Sequence, residues 1–326
     1  MSKIKTLLDA SLSESERVLN EVPTNVGMFN IKSANQYMLE AAKRPNPKSL
    51  YKTFWHEGET CCLFADTNLG KSILAVQIAS EIAVNEIVLY FDFELSDKQF
   101  QLRYTDDGGN LYNFPDNLQR VEINPEALTS SSNFEDELMR NIEDAANQCE
   151  AKVLIIDNLT FLCSQSEKGD AAAELMMRLC RLKKQYGWSM LIIAHTPKRP
   201  CSAPLTGNDL AGSRKLLNFF DSAFAIGRSA KDNNLRYLKQ IKCRNGEFTH
   251  GADNVVVCSI VKDNSFTHFE FMEFAPENDH LQETSESERS YKKMRAKELA
   301  ATGKSQREIA QELGISVGAV NKYINR

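Results

Sequence analysis

No apolar run in this chain approaches the roughly 18 residues that a membrane-spanning helix requires. Runs such as MLIIA at 190–194 and VLII at 153–156 have the length of buried strands. The N-terminus, MSKIKTLLDASLSESERVL, lacks the apolar segment of a secretory signal; it is charged and reads as an amphipathic helix. The chain is therefore expected in the cytosol, with no membrane partner. Its eight cysteines form no CxxC pair and have no histidine pair nearby; apart from the adjacent Cys61 and Cys62 they stand singly. That spacing argues against a zinc site or a disulfide framework and for buried thiols. No internal repeat is visible, and the one low-complexity patch, TSSSN at 129–133, reads as a loop ending in a helix cap.

With 326 residues, 42% hydrophobic and 25% charged, the chain can bury one large core and a smaller one. The net charge of −5 gives no reason by itself to expect nucleic acid, but it is unevenly spread. Residues 287–326 hold nine basic and four acidic side chains, a net +5, which leaves −10 for the rest. A basic tail on an acidic body is the arrangement expected if the tail meets DNA while the body does something else.

Four regions follow from the pattern: an N-terminal helical extension (1–50), a large domain (51–275), a linker (276–286) and a small helical domain (287–326). In the extension, SANQYMLEAAKR at 33–44 reads as a helix and RPNPKSLY at 44–51 as a Pro-containing turn, with the core or a neighbouring subunit as packing partner. In the large domain, apolar strands are expected at 61–65, 87–92, 120–123, 153–157 and 189–195. Helices at 71–83, 96–104, 134–149 and 170–186 lie between them, the βαβ signature of a parallel sheet covered on both faces. After residue 220 the strands 222–227, 235–242, 255–261 and 267–274 follow without helices, an antiparallel edge to an α/β core. The stretch APENDHLQETSESE at 275–288 is polar and acidic and reads as the linker.

Residues 65–72, Ala65-Asp66-Thr67-Asn68-Leu69-Gly70-Lys71-Ser72, have the phosphate-loop spacing GxxxxGK[ST], except that Ala65 stands in place of the first glycine. Such a turn aims backbone N–H groups at phosphate oxygens, and the following helix adds the positive end of its dipole. Lys71 is placed for the β- and γ-phosphates of ATP and Ser72 for Mg²⁺. In VLIIDN at 153–158 the strand ends in Asp157, where a carboxylate can hold that magnesium through water. In VLYFDFELS at 88–96, Asp92 and Glu94 lie two apart and are expected to share one orientation. Glu94 is the candidate for orienting the attacking water and Asp92 a structural group; the alternative is that both cap a helix opening at Ser96. His195 ends SMLIIAH on the same sheet edge and could sense the γ-phosphate, or be a satisfied structural histidine.

The succession of residues 65–72, Glu94, Asp157 and His195 resembles the RecA-like ATPases, in particular the plasmid RepA-type and DnaB-type hexameric replicative helicases, over residues 50–275. The resemblance implies a RecA-like P-loop fold, ATP and Mg²⁺ as nucleotide and cofactor, ATP hydrolysis, and a homo-oligomer such as a hexameric ring. It also implies that Lys242 and Arg244, in QIKCRNGE at 240–247, act as fingers in a neighbour's site, although a solvated basic hairpin is the plain alternative. Single-stranded DNA would be met by the loops at 164–170 and 198–215, the second carrying Lys198, Arg199, Arg214 and Lys215. A role in replicating or mobilising a plasmid or similar element follows. An ATP-switched DNA-binding regulator and a filament-forming recombination or repair ATPase remain as alternatives.

The tail GKSQREIAQELGISVGAVNKYINR at 303–326 carries its own signal. Ser305 and Glu308 make a capping box, Ile309, Ala310 and Leu313 an apolar face, Gly314 a tight turn, and Ser316 a second cap before Val320 and Ile324. The spacing resembles the helix-turn-helix of resolvases and sigma factors, with 288–301 as the supporting helix. Duplex DNA would be read by Ser316, Val317, Ala319 and Asn321, with Lys322 and Arg326 on phosphates.

Overall fold

The computed structural model describes residues 18, 24–124, 126, 134–162, 171–196, 199–210, 216–282 and 286–325. The N-terminal amphipathic helix expected before residue 18, the TSSSN patch, the loop 164–170, Lys198, Arg214, Lys215 and Arg326 lie outside them. The chain divides into two compact units, Met1–Lys48 and Ser49–Arg326.

In the first unit, β1 (Thr24–Val26) and β2 (Phe29–Ile31) form a hairpin that the sequence reading does not anticipate. Gly27, with φ of 57°, supplies the left-handed residue of its two-residue turn. The helix expected at 33–44 is α1 (Ala34–Ala42), capped by the Ser33 hydroxyl accepting from the Gln36 N–H.

The second unit opens with a small hairpin of β3 (Ser49–Tyr51) and β4 (Trp55–His56), where only a turn is expected. There follow β5 (Thr60–Ala65), α2 (Lys71–Ala83), β6 (Val88–Asp92), α3 (Asp97–Arg103), β7 (Leu118–Val121), α4 (Phe134–Gln148), β8 (Val153–Asp157) and the short α5 (Leu159–Leu162). Then come α6 (Ala171–Tyr186), β9 (Ser189–His195), β10 (Ser222–Arg228), β11 (Leu235–Lys242), β12 (Val255–Asp263) and β13 (Phe266–Ala275). Nine strands make one sheet in the order β13-β12-β11-β10-β5-β9-β8-β6-β7. The six from β10 to β7 run parallel, and β10 to β13 run antiparallel to one another. With the phosphate-loop strand β5 separated from the aspartate strand β8 by β9, and α helices on both faces, this is the RecA-like α/β arrangement extended by an antiparallel edge.

The apolar runs are continuous because both faces of the parallel strands are buried. Alternate residues sort into two cores. Cys62 and Phe64 of β5, Leu154 and Ile156 of β8, and Met190 and Ile192 of β9 pack with α4 and α6. Cys61 and Leu63, Val153 and Ile155, and Leu191 and Ile193 pack with α2 on the other face. The strand β7 departs from the expectation of a fully apolar strand at 120–123: it starts two residues earlier, lies at the sheet edge, and is half-exposed, so it need not be apolar.

The acidic stretch expected as a linker is packed over its first half. After β13, a short 3-10 turn at Glu277–His280 buries both Glu277 and His280. Glu277 takes an ion pair from Lys239 at 2.5 Å and hydrogen bonds from Tyr237 and the Leu205 N–H, and these partners replace water.

Three helices end the chain: α7 (Glu286–Ala301), α8 (Gln306–Leu313) and α9 (Val317–Ile324). They close on Ala296, Leu299, Ile309, Ala310 and Val320. Among the described helices none is long and apolar enough to cross a membrane.

Candidate nucleotide site and DNA-binding module

β5 ends at Ala65, buried and with an ordinary negative φ, so a methyl group fits where the motif has glycine. Gly70, at φ 91°, cannot be replaced in the same way. A Cβ there would lie 2.9 Å from Ile260 Cδ1 and 3.0 Å from the Phe269 ring, side chains of β12 and β13. Gly70 also opens α2 without any side-chain cap, so the first-turn N–H groups keep their hydrogen-bonding capacity for an anion. The Lys71 side chain is buried inside the loop, its Nζ donating to the carbonyls of Ala65 (3.0 Å) and Asp66 (2.9 Å). Burial lowers its pKa, against the opposing fields of Asp157, Glu94 and Asp66.

Asp157, at the end of β8, is buried, and burial pushes its pKa up to about 6 against hydrogen bonds from Ser72 and Tyr90. The Tyr90 hydroxyl donates to Oδ2 at 2.7 Å. The structure thus brings together the Ser72 hydroxyl and a carboxylate whose burial penalty a cation would remove. Two hard oxygens of this kind suit Mg²⁺, which fills the rest of its octahedron with water and phosphate. Among the described residues no group of three or more His, Cys, Asp or Glu forms a metal cage, and the described cysteines are free thiols.

Asp92 and Glu94 do not share an orientation. β6 ends at Asp92, so the strand alternation stops there. The buried Asp92 carboxylate accepts from the N–H groups of Glu94 (3.2 Å) and Leu95 (3.0 Å) and from Arg120 Nε (2.9 Å). Arg120 also donates to the Leu95 carbonyl and lies over the Phe100 ring, which rigidifies the turn presenting Glu94. Neither carboxylate caps α3: Ser96 does so itself in a capping box with Gln99. Arg120 is a supporting residue that the sequence reading misses, because nothing in LQRV marks its partner 28 residues upstream.

Glu94 and His195 meet, with His195 Nε2 at 3.3 Å from Glu94 Oε1. Between them reaches Asn158, also missed, whose Nδ2 donates to Glu94 Oε1 and lies 3.1 Å from His195 Nε2. The register pairs Ala65 with His195 and Asp92 with Asp157, so all these groups leave the sheet at one edge.

Lys242 and Arg244 lie elsewhere. Lys242 pairs in register with Ala223, which is level with Cys62, toward the opposite edge of the sheet. Its Nζ donates to the Leu217 carbonyl, and Arg244 bonds Asp221 Oδ1 at 3.1 Å. Neither reaches the phosphate loop of its own chain. Arg199, expected on a DNA backbone, is turned inward. It donates to the Ala203 carbonyl and lies 3.5 Å from Asp209, because the loop after β9 folds back on itself.

In the C-terminal helices, the capping box of Ser305 and Glu308, the left-handed Gly314 (φ 61°) and the Ser316 cap are present. Ser316, Val317, Asn321 and Lys322 are exposed along one side of α9, and Ala319 is half-buried. The Ser316 hydroxyl accepts from the Ala319 N–H and is engaged as a cap.

A family model described as an AAA domain matches residues 31–200, more than half of the sequence. The chain belongs to this AAA domain family. A winged helix-turn-helix DNA-binding model matches residues 303–326, which hold α8 and α9. Among solved structures, a KaiC-like protein from the hyperthermophilic archaeon Pyrococcus horikoshii is similar over 66% of this chain and 91% of its own, at 15% identity and a TM-score of 0.49. No curated protein sequence matches the chain. A P-loop ATPase domain joined to a DNA-binding helix-turn-helix is thus the composition of this AAA domain protein.

Proposed function

We propose that this protein is a Mg²⁺-dependent ATPase whose nucleotide state sets how its C-terminal module binds duplex DNA. The ATPase body extends to about residue 282, and the module comprises residues 287–326. In this reading Lys71 and the phosphate loop hold the nucleotide, Ser72 and Asp157 hold the magnesium, Glu94 orients the attacking water, and His195 senses the γ-phosphate. On DNA, Val317, Ala319 and Asn321 face base edges and Lys322 a phosphate.

The observation that carries the coupling is the strap from Glu277 to Gln282, a few residues before α7. It is bonded directly to the loop that follows His195. Leu205 N–H donates to Glu277 Oε1 at 2.7 Å, Gln282 N–H to the Cys201 carbonyl at 3.3 Å, and Lys239 Nζ bridges the Leu205 carbonyl and Glu277. Thr196 N–H donates to the Ala65 carbonyl, tying the start of the same loop to the phosphate strand. A shift of this loop on nucleotide binding has a short path into the segment that leads to α7.

The second reading is a ring helicase or motor acting in the replication or mobilisation of a mobile element. It is favoured by the position of Arg244, more than half exposed. Its partner Asp221 stays satisfied by Lys183 and the Thr60 N–H if the arginine swings into a neighbouring copy.

The test measures ATP turnover and duplex affinity in wild type, Glu94→Gln and Lys322→Ala. Expected are Mg²⁺-dependent hydrolysis, a fall of about 100-fold or more in Glu94→Gln, and a several-fold difference in duplex Kd between ATP and ADP. Lys322→Ala should weaken DNA binding with turnover unchanged. Equal Kd in both nucleotide states rejects the coupling, and strong stimulation of turnover by single-stranded DNA moves the assignment to the motor.

A further inference from the structure

We infer that Asn158 is the positioning residue of the site: its amide fixes the His195 ring with a lone pair on Nε2 and so keeps the imidazole from donating to the Glu94 carboxylate that would orient the water. The inference rests on the hydrolytic reading above but concerns a residue that neither the phosphate loop nor the strand-end aspartate motif includes.

The orientation of the amide is decided by its other end. Asn158 Oδ1 accepts from the Phe161 N–H at 3.2 Å, capping α5, so the two hydrogens of Nδ2 face the site. Asn158 is buried, at 4% exposure, and cannot trade these bonds for water. One hydrogen goes to Glu94 Oε1 and the other points at His195 Nε2, 3.1 Å away. A donor facing Nε2 requires a lone pair there, which puts the imidazole proton on Nδ1. The contact of 3.3 Å between Nε2 and Glu94 Oε1 is then two acceptors sharing one donor.

Without the amide the same two groups would make a different pair. An Nε2–H would donate to Glu94 Oε1, forming an imidazolium–carboxylate or a neutral hydrogen bond that occupies the carboxylate. With Asn158 present, an Nε2–H would face an Nδ2–H at about van der Waals distance, a donor–donor clash. The remaining charged groups of the site, Lys71 and Asp66 of the phosphate loop and Asp92 and Asp157 at the strand ends, interact with Glu94 or with one another. No hydrogen bond from them to His195 occurs among the described residues. The choice of tautomer therefore falls to Asn158.

The test compares Asn158→Ser with Asn158→Ala in the full chain. Serine can keep the α5 cap on the Phe161 N–H but is too short to reach Glu94 and His195, so it separates capping from positioning. Ring ¹⁵N shifts of labelled histidine, with His195 assigned through His195→Gln, read the tautomer without any turnover. Wild type should show a neutral ring protonated on Nδ1. Both variants should show protonation on Nε2 or both nitrogens, and kcat for ATP should fall tenfold or more with KM within about threefold of wild type. An unchanged His195 signature in Asn158→Ser, or an unchanged kcat, overturns the inference. Should wild type hydrolyse no ATP, the functional reading fails, and the ring signature still decides the role of Asn158.

Discussion

Replacing Asp157 by asparagine should make the nucleotide-free protein more stable at neutral pH while removing its catalytic use of magnesium. Burial raises the Asp157 pKa from 3.8 to about 6. At about 1.4 kcal/mol per pH unit, this corresponds to about 3 kcal/mol. The sign follows from linkage. A carboxyl whose folded-state pKa lies above its unfolded value favours folding while protonated, and that contribution is lost as pH rises through about 6. At pH 8 the wild type therefore carries an ionised group that its surroundings disfavour. Asparagine is neutral at every pH and its Oδ1 can still accept from the Tyr90 hydroxyl, now 2.7 Å from Asp157. Asp157→Asn and wild type should then differ little near pH 4, and the variant should gain up to about 3 kcal/mol by pH 8. At about 2–4 °C per kcal/mol, the gain is a rise in Tm of up to about 6–12 °C. Urea unfolding in EDTA without nucleotide, followed through the fully buried Trp55 and Trp188, reads the difference. A gap that does not change between pH 5 and 8, or a variant less stable at pH 8, would refute the argument.

Two further substitutions test the packing around the site. Gly70→Ala must place a methyl against Ile260 and Phe269 at φ 91°, and should lose about 1–3 kcal/mol of stability and at least tenfold in nucleotide affinity by calorimetry. Ala65→Gly should leave that affinity within about threefold. Glu277→Ala strands Lys239 in the interior and should cost about 3–5 kcal/mol in urea unfolding, most of it recovered in Lys239→Met with Glu277→Leu. If the single and double variants are equally unstable, the buried pair is not the source of the loss.

The sheet and the turn that presents the candidate phosphate loop were legible in the sequence because they depend on local pattern. Strands buried on both faces must be apolar throughout, so VLIID at 153–157 and SMLIIAH at 189–195 announce themselves with their boundaries. The phosphate loop needs consecutive residues in fixed order, and Gly70-Lys71-Ser72 keeps that order although Ala65 breaks the motif. The C-terminal helices were equally plain, since a capping box spans four residues and a left-handed turn needs a glycine. Each of these signals is written within a few residues.

What was not legible lies in contacts between distant segments. Arg120 is recognisable only once β6 and β7 are paired, which places Tyr90 level with Arg120 and brings its guanidinium to Asp92. Asn158 is an ordinary residue after a strand until β9 delivers His195 and the β6 turn delivers Glu94. The stretch after residue 275 shows the reverse error. Its acidic composition is that of a solvated linker, yet Glu277 is buried because Lys239, Tyr237 and the Leu205 N–H surround it. Polarity predicts exposure only when no complementary group is waiting, and a charge 38 residues away along the chain leaves no mark on the local pattern. The same holds for Arg199, whose positive charge suggests a phosphate partner but whose loop folds back to give it Ala203 and Asp209. Charge in a sequence thus identifies a side chain that needs a partner, and only the fold decides whether that partner is DNA, nucleotide or the protein itself.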